Sequence, residues 1–476
     1  MAAQDGRVAL RVLVVLSGDE FVRNYVQSNA FASLGEDTHL GVIANERVTL
    51  REGLEDGPGF FGFYTSDPAI DHRHFTLFNL LMWRHRRVSS SFMFRIQRVL
   101  GADYLHHALR TKAGFRDRLR ALKGFLRNHC LRPASWSFVL LGSRLLFAPV
   151  KSYLIRSLPV NQSLQKAIHD FAPDLVVFPS SAYDPAGNDV VRVAEALGIP
   201  SLFLVDNWDN LSSKSILWAV PDALGVWGPQ SVKHAIEIQG VPSERITPLG
   251  TPRFDRYYVL RDGETASPFP FPYILFVGCA LPFDEISALE MLDSELTGGE
   301  NDYGDTRIVY RPHPWRQKRL RERPFDENSF VRVELDPQMR SDFSKRRLMP
   351  KLDYYGPLLQ NAEMVVAPLT TMLIEALIFT KKTLVIAYDD GVHFSSPRNA
   401  LANYEHFHGI EQIPGLQTVE KKDCLAAAFR QMWHVDEPQR QDVDRALSYF
   451  LHSDERRYDQ RLRDFVLRVA AQSETL

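Results

Sequence analysis

Apolar residues in this chain gather in short runs. Each run ends in a polar, glycine-containing or proline-containing turn that leads into a stretch with helical spacing. Val8 to Leu16, interrupted only by Arg11, reads as a first buried parallel strand. The turn Ser17-Gly18-Asp19-Glu20 predicts a helix over Phe21 to Leu34, and Leu40 to Ala44 a second strand. Residues 45–75 read as loop. The alternation then resumes with a helix at Leu164 to Phe171, a strand at Pro173 to Pro179, and a helix at Asn188 to Leu197. Strands at Ser201 to Val205 and Ala223 to Trp227 and a helix at Gln230 to Gln239 complete a first half. Residues 260–272, with three prolines around Asp262-Gly263-Glu264, read as a linker. A second half opens with a strand at Tyr273 to Gly278 and a helix at Phe283 to Leu296. Runs at Arg307 to Val309, Met364 to Ala367 and Thr383 to Tyr388 supply its further strands; 297–305 and 316–347 read as charged, irregular loops. Helices are expected at Leu425 to Trp433, Val443 to Leu451 and Tyr458 to Val469. Strand, loop, helix, strand is the grammar of parallel α/β domains, and it occurs twice.

Ligands of such sheets bind at the carboxyl ends of the strands. In the second half Gly278, Arg311, His313, Thr370 and Thr371 fall just past those ends. Arginine, histidine and hydroxyl groups suit phosphate oxygens, and Pro312 and Pro314 pin the loop that carries His313. His313 also reads as a structural turn residue, and the threonines as helix caps. Glu375 lies among apolar helix residues, where a carboxylate needs a partner; a pair of sugar hydroxyls would serve. In the first half Asp19 and Glu20 occupy the first strand-to-helix turn. They read either as helix-start acids or as a base that takes a proton from a hydroxyl. Asp206 and Asp209 compete for that role. The run Asp206-Asn207-Trp208-Asp209-Asn210, with Lys214, reads as an acceptor-binding loop in which Trp208 offers a flat face.

The order of these features, a His-Pro loop, then a threonine pair, then a helical Glu, resembles the donor site of GT-B glycosyltransferases of bacterial surface polysaccharide synthesis. The nearest are the capsule sialyl- and Kdo-transferases and the CDP-glycerol glycerophosphotransferases. The resemblance covers mainly residues 245–390. It implies that His313, Thr370 and Thr371 contact the phosphate of a CMP- or CDP-linked donor, and that Glu375 contacts the nucleotide ribose. Gly250-Thr251-Pro252-Arg253-Phe254-Asp255 is similar to the Gly-x-Pro-Arg-x-Asp segment of the glycerophosphotransferases, which adds Arg253. Those enzymes carry Asp-Tyr-Ser-Ser where this chain has Thr370-Thr371 after Ala367-Pro368-Leu369. The implied fold is α/β of GT-B type: two Rossmann-like domains facing an interdomain cleft, the first holding a basic helical insertion.

Charge changes the picture in one place. The formal net charge is −2 and the isoelectric point about 6.7, so the whole chain has no polyanion-binding balance. Yet 84–156 is rich in Arg and Lys and holds only two acids, Asp103 and Asp117. Phe115, Leu119, Leu122 and Leu126 interleave there at helical spacing. A solvated face and a nucleic-acid surface are the alternatives; a basic amphipathic segment without a nucleic-acid motif fits an anionic membrane surface better. Three scattered cysteines suit a reducing compartment, no apolar run is long enough to span a bilayer, and the first residues lack a signal-peptide layout.

The domains are expected at 1–260 (acceptor side), 273–440 (nucleotide donor) and 441–476 (helices crossing back onto the first domain). The expected activity moves a sugar or polyol phosphate from a nucleotide-activated donor to a lipid-linked or glycan acceptor, peripherally on the inner face of the cytoplasmic membrane. No cofactor is expected, and no metal, because no Asp-x-Asp stands at a strand end. A nucleotide-sugar 2-epimerase of the same fold and a non-catalytic assembly scaffold are the alternatives.

Overall fold

The computed structural model describes residues 9–473 except 52, 58, 113, 131–132, 182–183, 299, 315–322 and 341–351. Of the charged 316–347 stretch, 316–322 and 341–347 therefore lie outside the described residues, and the rest, expected to be irregular, holds the short strand Val333–Leu335. The chain forms two compact units. The first comprises the described parts of Met1–Phe92, Phe138–Asp255 and Ser448–Leu476, the second those of Met93–Ser137 and Arg256–Leu447.

The first unit is built on a seven-stranded parallel sheet: β1 (Leu10–Leu16), β2 (Thr38–Asn45), β3 (Phe60–Tyr64), β4 (Leu175–Ser180), β5 (Ser201–Val205), β6 (Ala223–Val226) and β7 (Ile246–Pro248). Their order is β3-β2-β1-β4-β5-β6-β7. The second unit holds β8 (Tyr273–Val277), β9 (Arg307–Arg311), β10 (Val333–Leu335), β11 (Met364–Ala367), β12 (Thr383–Ile386) and β13 (Leu416–Val419), all parallel, in the order β10-β9-β8-β11-β12-β13. The expected Rossmann-like class holds for both. The central strands are buried and almost wholly apolar, rich in Val, Ile, Leu and Phe, as befits a parallel sheet covered on both faces. In each sheet the winding reverses once, between β1 and β4 and between β8 and β11, and such a switch point opens a crevice at the strands' carboxyl ends.

The C-terminal helix Tyr458–Ser473 belongs to the first unit. Leu462, Phe465, Val466 and Val469 share a core with Val12, Val14 and Leu202. Each such side chain contributes about 1.5–3 kcal/mol on burial.

Three further stretches differ from the sequence reading. The loop expected over 45–75 contains β3 and the start of the helix Pro68–His85, which Asp67 caps through the amide of Ala69. As an edge strand β3 leaves Phe61 and Phe63 exposed, so its pattern is not that of a buried strand. The single helix expected over Phe21 to Leu34 is instead a short helix, a wide π-type turn at Val22–Val26 and irregular turns. Asn29 takes a left-handed conformation (φ 59°), and Ser28 turns its hydroxyl back to the carbonyl of Asn24. The basic helical stretch, expected wholly in the first domain, is divided: 93–137 lies with the second unit. There Phe94 packs on Phe394 and Tyr404 (5.5 and 5.0 Å), and Arg98 donates to the Tyr404 hydroxyl (2.8 Å). The apolar face of a helix is visible in sequence; the neighbour it chooses is not.

Candidate functional site

In the second unit the switch point brings three strand exits together. Gly278 follows β8, and its amide donates to the carbonyl of Arg311 at 2.8 Å. A Cβ at 278 would stand 2.8 Å from the amide nitrogen of His313 and 2.7 Å from Oε2 of Glu285, so only glycine lets the Pro312-His313 loop lie on this exit. Glu285 is fully buried; it accepts from the amide of Cys279 (3.0 Å) and the hydroxyl of Tyr310 (2.6 Å), which fixes the turn. His313 thus rests on a rigid floor.

Arg311 closes β9 and is only 7% exposed. Nη2 donates to the Tyr355 hydroxyl at 2.6 Å, and the guanidinium lies 5.2 Å from the Tyr355 ring centre. Nε has no partner among the described residues. Burial opposes the charge, but Tyr355, Glu375 and Asp336 outweigh it and hold the guanidinium above its ordinary pKa. Glu375 is buried on the helix Met372–Ile378 and accepts from the Tyr257 hydroxyl at 2.9 Å. Burial raises the Asp336 carboxyl, although Tyr354 and the amide of Gln338 donate to it. Thr370 and Thr371 are half-buried where β11 leads into that helix, and the Thr370 hydroxyl faces the Met372 amide at 3.5 Å.

The first unit presents a second cluster. Asn24, on the wide turn after β1, donates to Oδ1 of Asp206 at 2.8 Å, and the carbonyl of Asp206 accepts from the Trp227 indole at 3.2 Å. Tyr25 and Tyr458 are buried beside them. Burial pushes both phenols above their ordinary pKa; Tyr458 and then Asp206 add to it at Tyr25, against Arg253, and Asp255 and then Asp206 add to it at Tyr458, against Arg461. Arg253 lies over the rings of Trp227 (5.4 Å) and Phe254 (5.0 Å), and its Nε and Nη2 have no partner among the described residues. The segment around it has a clear structural logic. Gly250 has φ 79°, and a Cβ there would meet the carbonyl of His452 at 2.3 Å. Asp255 accepts from the amide of Tyr458 and from Arg461 Nη2 (3.2 Å), fastening the C-terminal helix.

The other first-half candidates fall differently. Asp19 spends its carboxylate on the amides of Thr49 (2.6 Å) and Leu50 (2.9 Å) and on the Thr49 hydroxyl (2.6 Å), which makes it a clasp for the loop after β2. Glu20 folds over Gly18, where a Cβ would lie 2.7 Å from Oε2. Trp208, expected to offer a flat face, is 2% exposed and meets Phe450 edge-on at 6.0 Å, so it offers none. Asn210 is buried and donates to the carbonyl of Ser181 at 2.8 Å. Asp209 pairs with Lys214 at 2.7 Å, the lysine being the more exposed.

Sequence reasoning missed Tyr257 and Tyr355 in the second unit, and Asn24, Tyr25 and Tyr458 in the first. It also missed a buried pair, His74 Nε2 and Asp189 Oδ1, at 2.9 Å. The buried polar Asn24 in the turn Val22–Val26 after β1 was the one local signal. Tyr458 reaches its place only through the return of the C-terminal helix.

No protein-family model matches the chain, and no curated protein is similar to it in sequence. Solved structures are similar to it in fold. One described as a putative UDP-N-acetylglucosamine 2-epimerase from Listeria monocytogenes has a TM-score of 0.50 and 11% identity, covering 96% of this chain and 95% of that one. A UDP-GlcNAc 2-epimerase from Methanocaldococcus jannaschii has a TM-score of 0.49 and 11% identity, covering 96% and 99%. CalG4, the calicheamicin glycosyltransferase, has a TM-score of 0.43 and 12% identity, covering 98% and 99%. The likeness is one of architecture: the chain has the GT-B type of fold, two Rossmann-like α/β units.

Proposed function

We propose that this chain is a glycosyltransferase that moves a sugar or polyol phosphate from a CMP- or CDP-linked donor to a lipid-linked or polysaccharide acceptor in surface polysaccharide synthesis. One juxtaposition carries the reading. At the switch point of the second sheet a buried, permanently charged Arg311, His313 with its backbone amide against Gly278, and Thr370 and Thr371 share one edge. Charge builds on the leaving phosphate during transfer, and preset donors at that edge would stabilise it without reorganising. Glu375, steadied by Tyr257, would take the ribose hydroxyls. In the first unit Asp206, oriented by Asn24, is the better base, because Asp19 is committed to Thr49 and Leu50. Arg253, with two nitrogens unpartnered among the described residues, would meet an anionic group of donor or acceptor. The acceptor would be presented at an anionic membrane surface on the cytoplasmic side. Among the described residues no helix is long and apolar enough to cross one.

A second reading, a nucleotide-sugar 2-epimerase, is favoured by the fold-level likeness to proteins described as UDP-GlcNAc 2-epimerases. A thermal-shift series with CMP, CDP, UDP and GDP is the first test. A nucleotide that binds the folded state raises Tm, by about 2.7 kcal/mol of stabilisation at a hundred times its Kd. If none shifts the transition, both readings fall. Release of free nucleotide only when acceptor is present supports transfer. Conversion of a UDP-sugar to its C2 epimer without acceptor replaces it with the second reading.

A further inference from the structure

The apolar stripe of a surface helix ordinarily faces its own core. In the helix Phe115–Phe125 it faces outward: Phe115 is 80% exposed, and Leu119, Leu122 and Leu126 are exposed too, while Ala121 is the buried residue. At 3.6 residues per turn those four apolar side chains fall in one stripe roughly 60° wide. Arg116 and Lys123 flank it on one side and Arg118 on the other, while Arg120 pairs with Asp117 (2.8 Å) on the polar back. Cations on both borders of an outward apolar stripe suit a headgroup layer, where the stripe enters and the cations reach phosphate.

This helix packs against Ala102–Thr111, which is tied to the second unit at two points. Asp103 accepts from the amide (2.8 Å) and hydroxyl (2.7 Å) of Ser395, and Arg110 donates to Asp389 at 3.3 Å. Both partners lie in the loop that follows β12. The same loop holds Asp390, which receives the amide of Asp284 (3.1 Å) and the ring of His393 (2.7 Å). Asp284 ends the turn that starts at Gly278. Packing, these hydrogen bonds and two short loop segments thus link the exposed helix to the exit of β8.

We propose that the helix Phe115–Phe125 docks on anionic bilayers and that docking, relayed through Asp103 and Arg110 to the loop 389–396, raises nucleotide affinity in the second unit. The inference deepens the membrane and donor readings above and rests on them. The test measures vesicle sedimentation, CDP and UDP affinity, and amide exchange of 389–396, using phosphatidylcholine vesicles with and without phosphatidylglycerol. For the native chain, binding that needs phosphatidylglycerol and fades with salt is expected, with affinity tightened about fivefold or more and slower exchange in the loop. Phe115→Glu, at a position open to solvent, should lose vesicle binding with solution affinity unchanged. Asp103→Ala with Arg110→Ala should keep vesicle binding and lose the tightening. Vesicle binding with neither the affinity nor the exchange altered overturns the relay and leaves the membrane reading standing. Salt-insensitive binding, no vesicle binding, or self-association through the stripe overturns both. If no nucleotide binds under any condition the donor reading fails, and loop exchange alone decides the relay.

Discussion

Two arginines stand at or after strand ends, one in each unit, and they are held differently. Arg311 is locked into a charged network: Tyr355 takes Nη2, and Glu375 and Asp336 lie close enough to support its charge. Arg253 rests on two aromatic faces and keeps Nε and Nη2 without partners among the described residues. Arg311, with only Nε left unpartnered among the described residues, supports the fold as well as the edge it serves; Arg253, on aromatic rings with two spare donors, carries less of the fold. The stability cost of losing the charge should therefore differ between the two positions.

The largest expected effect breaks the first half of that contrast. Arg311→Leu removes the donor to the Tyr355 hydroxyl and a buried cation whose charge Glu375 and Asp336 support. Removing one partner of a buried charged group costs about 3–5 kcal/mol, so the urea midpoint of the second unit should fall steeply. Arg253→Leu forfeits cation–π contact worth about 0.5–2 kcal/mol and should leave the midpoint nearly in place. Equal losses would show that Arg253 is as structural as Arg311.

Next in size is an effect on chemistry alone. His313→Ala truncates a side chain whose loop is fixed by Gly278, Pro312 and Glu285, so the fold should persist. Transfer should fall by a factor of about 10² to 10³, as when one preset donor to developing charge is lost. Near-normal turnover would remove His313 from the site. Glu375→Gln should come lower still: the Tyr257 hydroxyl keeps an acceptor, and a ribose contact made equally in ground and transition states should appear in KM. A fall in kcat with KM unchanged would make Glu375 a reacting group.

These contrasts were only partly legible in the chain. The ends of β9 and β11 could be placed from Ile308-Val309 and Val365-Val366, because buried parallel strands are continuous apolar runs that stop where a polar loop begins. The short edge strands β3, β7, β10 and β13 carry weaker patterns, since one side of each lacks a neighbour. Within the sites, Arg311 stood out by position, yet Tyr355 did not: a tyrosine among apolar helix residues looks like core until the guanidinium is beside it. Trp208 misled for the same reason in reverse. A polar run, Asp206-Asn207-Trp208-Asp209-Asn210, suggested exposure, but the wide turn at Asn210–Lys214 folds the indole inward. Arg253 was visible only as part of a segment. That its neighbour Asp255 anchors a helix two hundred residues later is a tertiary fact with no local trace.

The smallest effect compares two aspartates by the sign of their pH response. In the second unit, burial alone would raise the Asp390 carboxyl, but hydrogen bonds from the ring and amide of His393 and the amide of Val392 outweigh it and hold it below its usual range. The folded state then binds fewer protons than the unfolded one. The stability Asp390 contributes is present above the unfolded carboxylate pKa and is lost as pH falls through the folded value. In the first unit burial wins at Asp255, and its carboxyl stays above its usual range despite Tyr458 and Arg461. Its contribution therefore has the opposite sign: stability declines as pH rises from the unfolded value through the raised folded one. Urea midpoints measured across about pH 3 to 6, the range where carboxylates titrate, should show this in two substitutions. Asp390→Asn should flatten the loss on acidification, whereas Asp255→Asn should steepen it, because the substitution removes a term that favours the acid side. If both changes bend the profile the same way, the two carboxyls are held alike, and the contrast between a charge locked into the second unit and one set against burial in the first does not extend beyond the arginines.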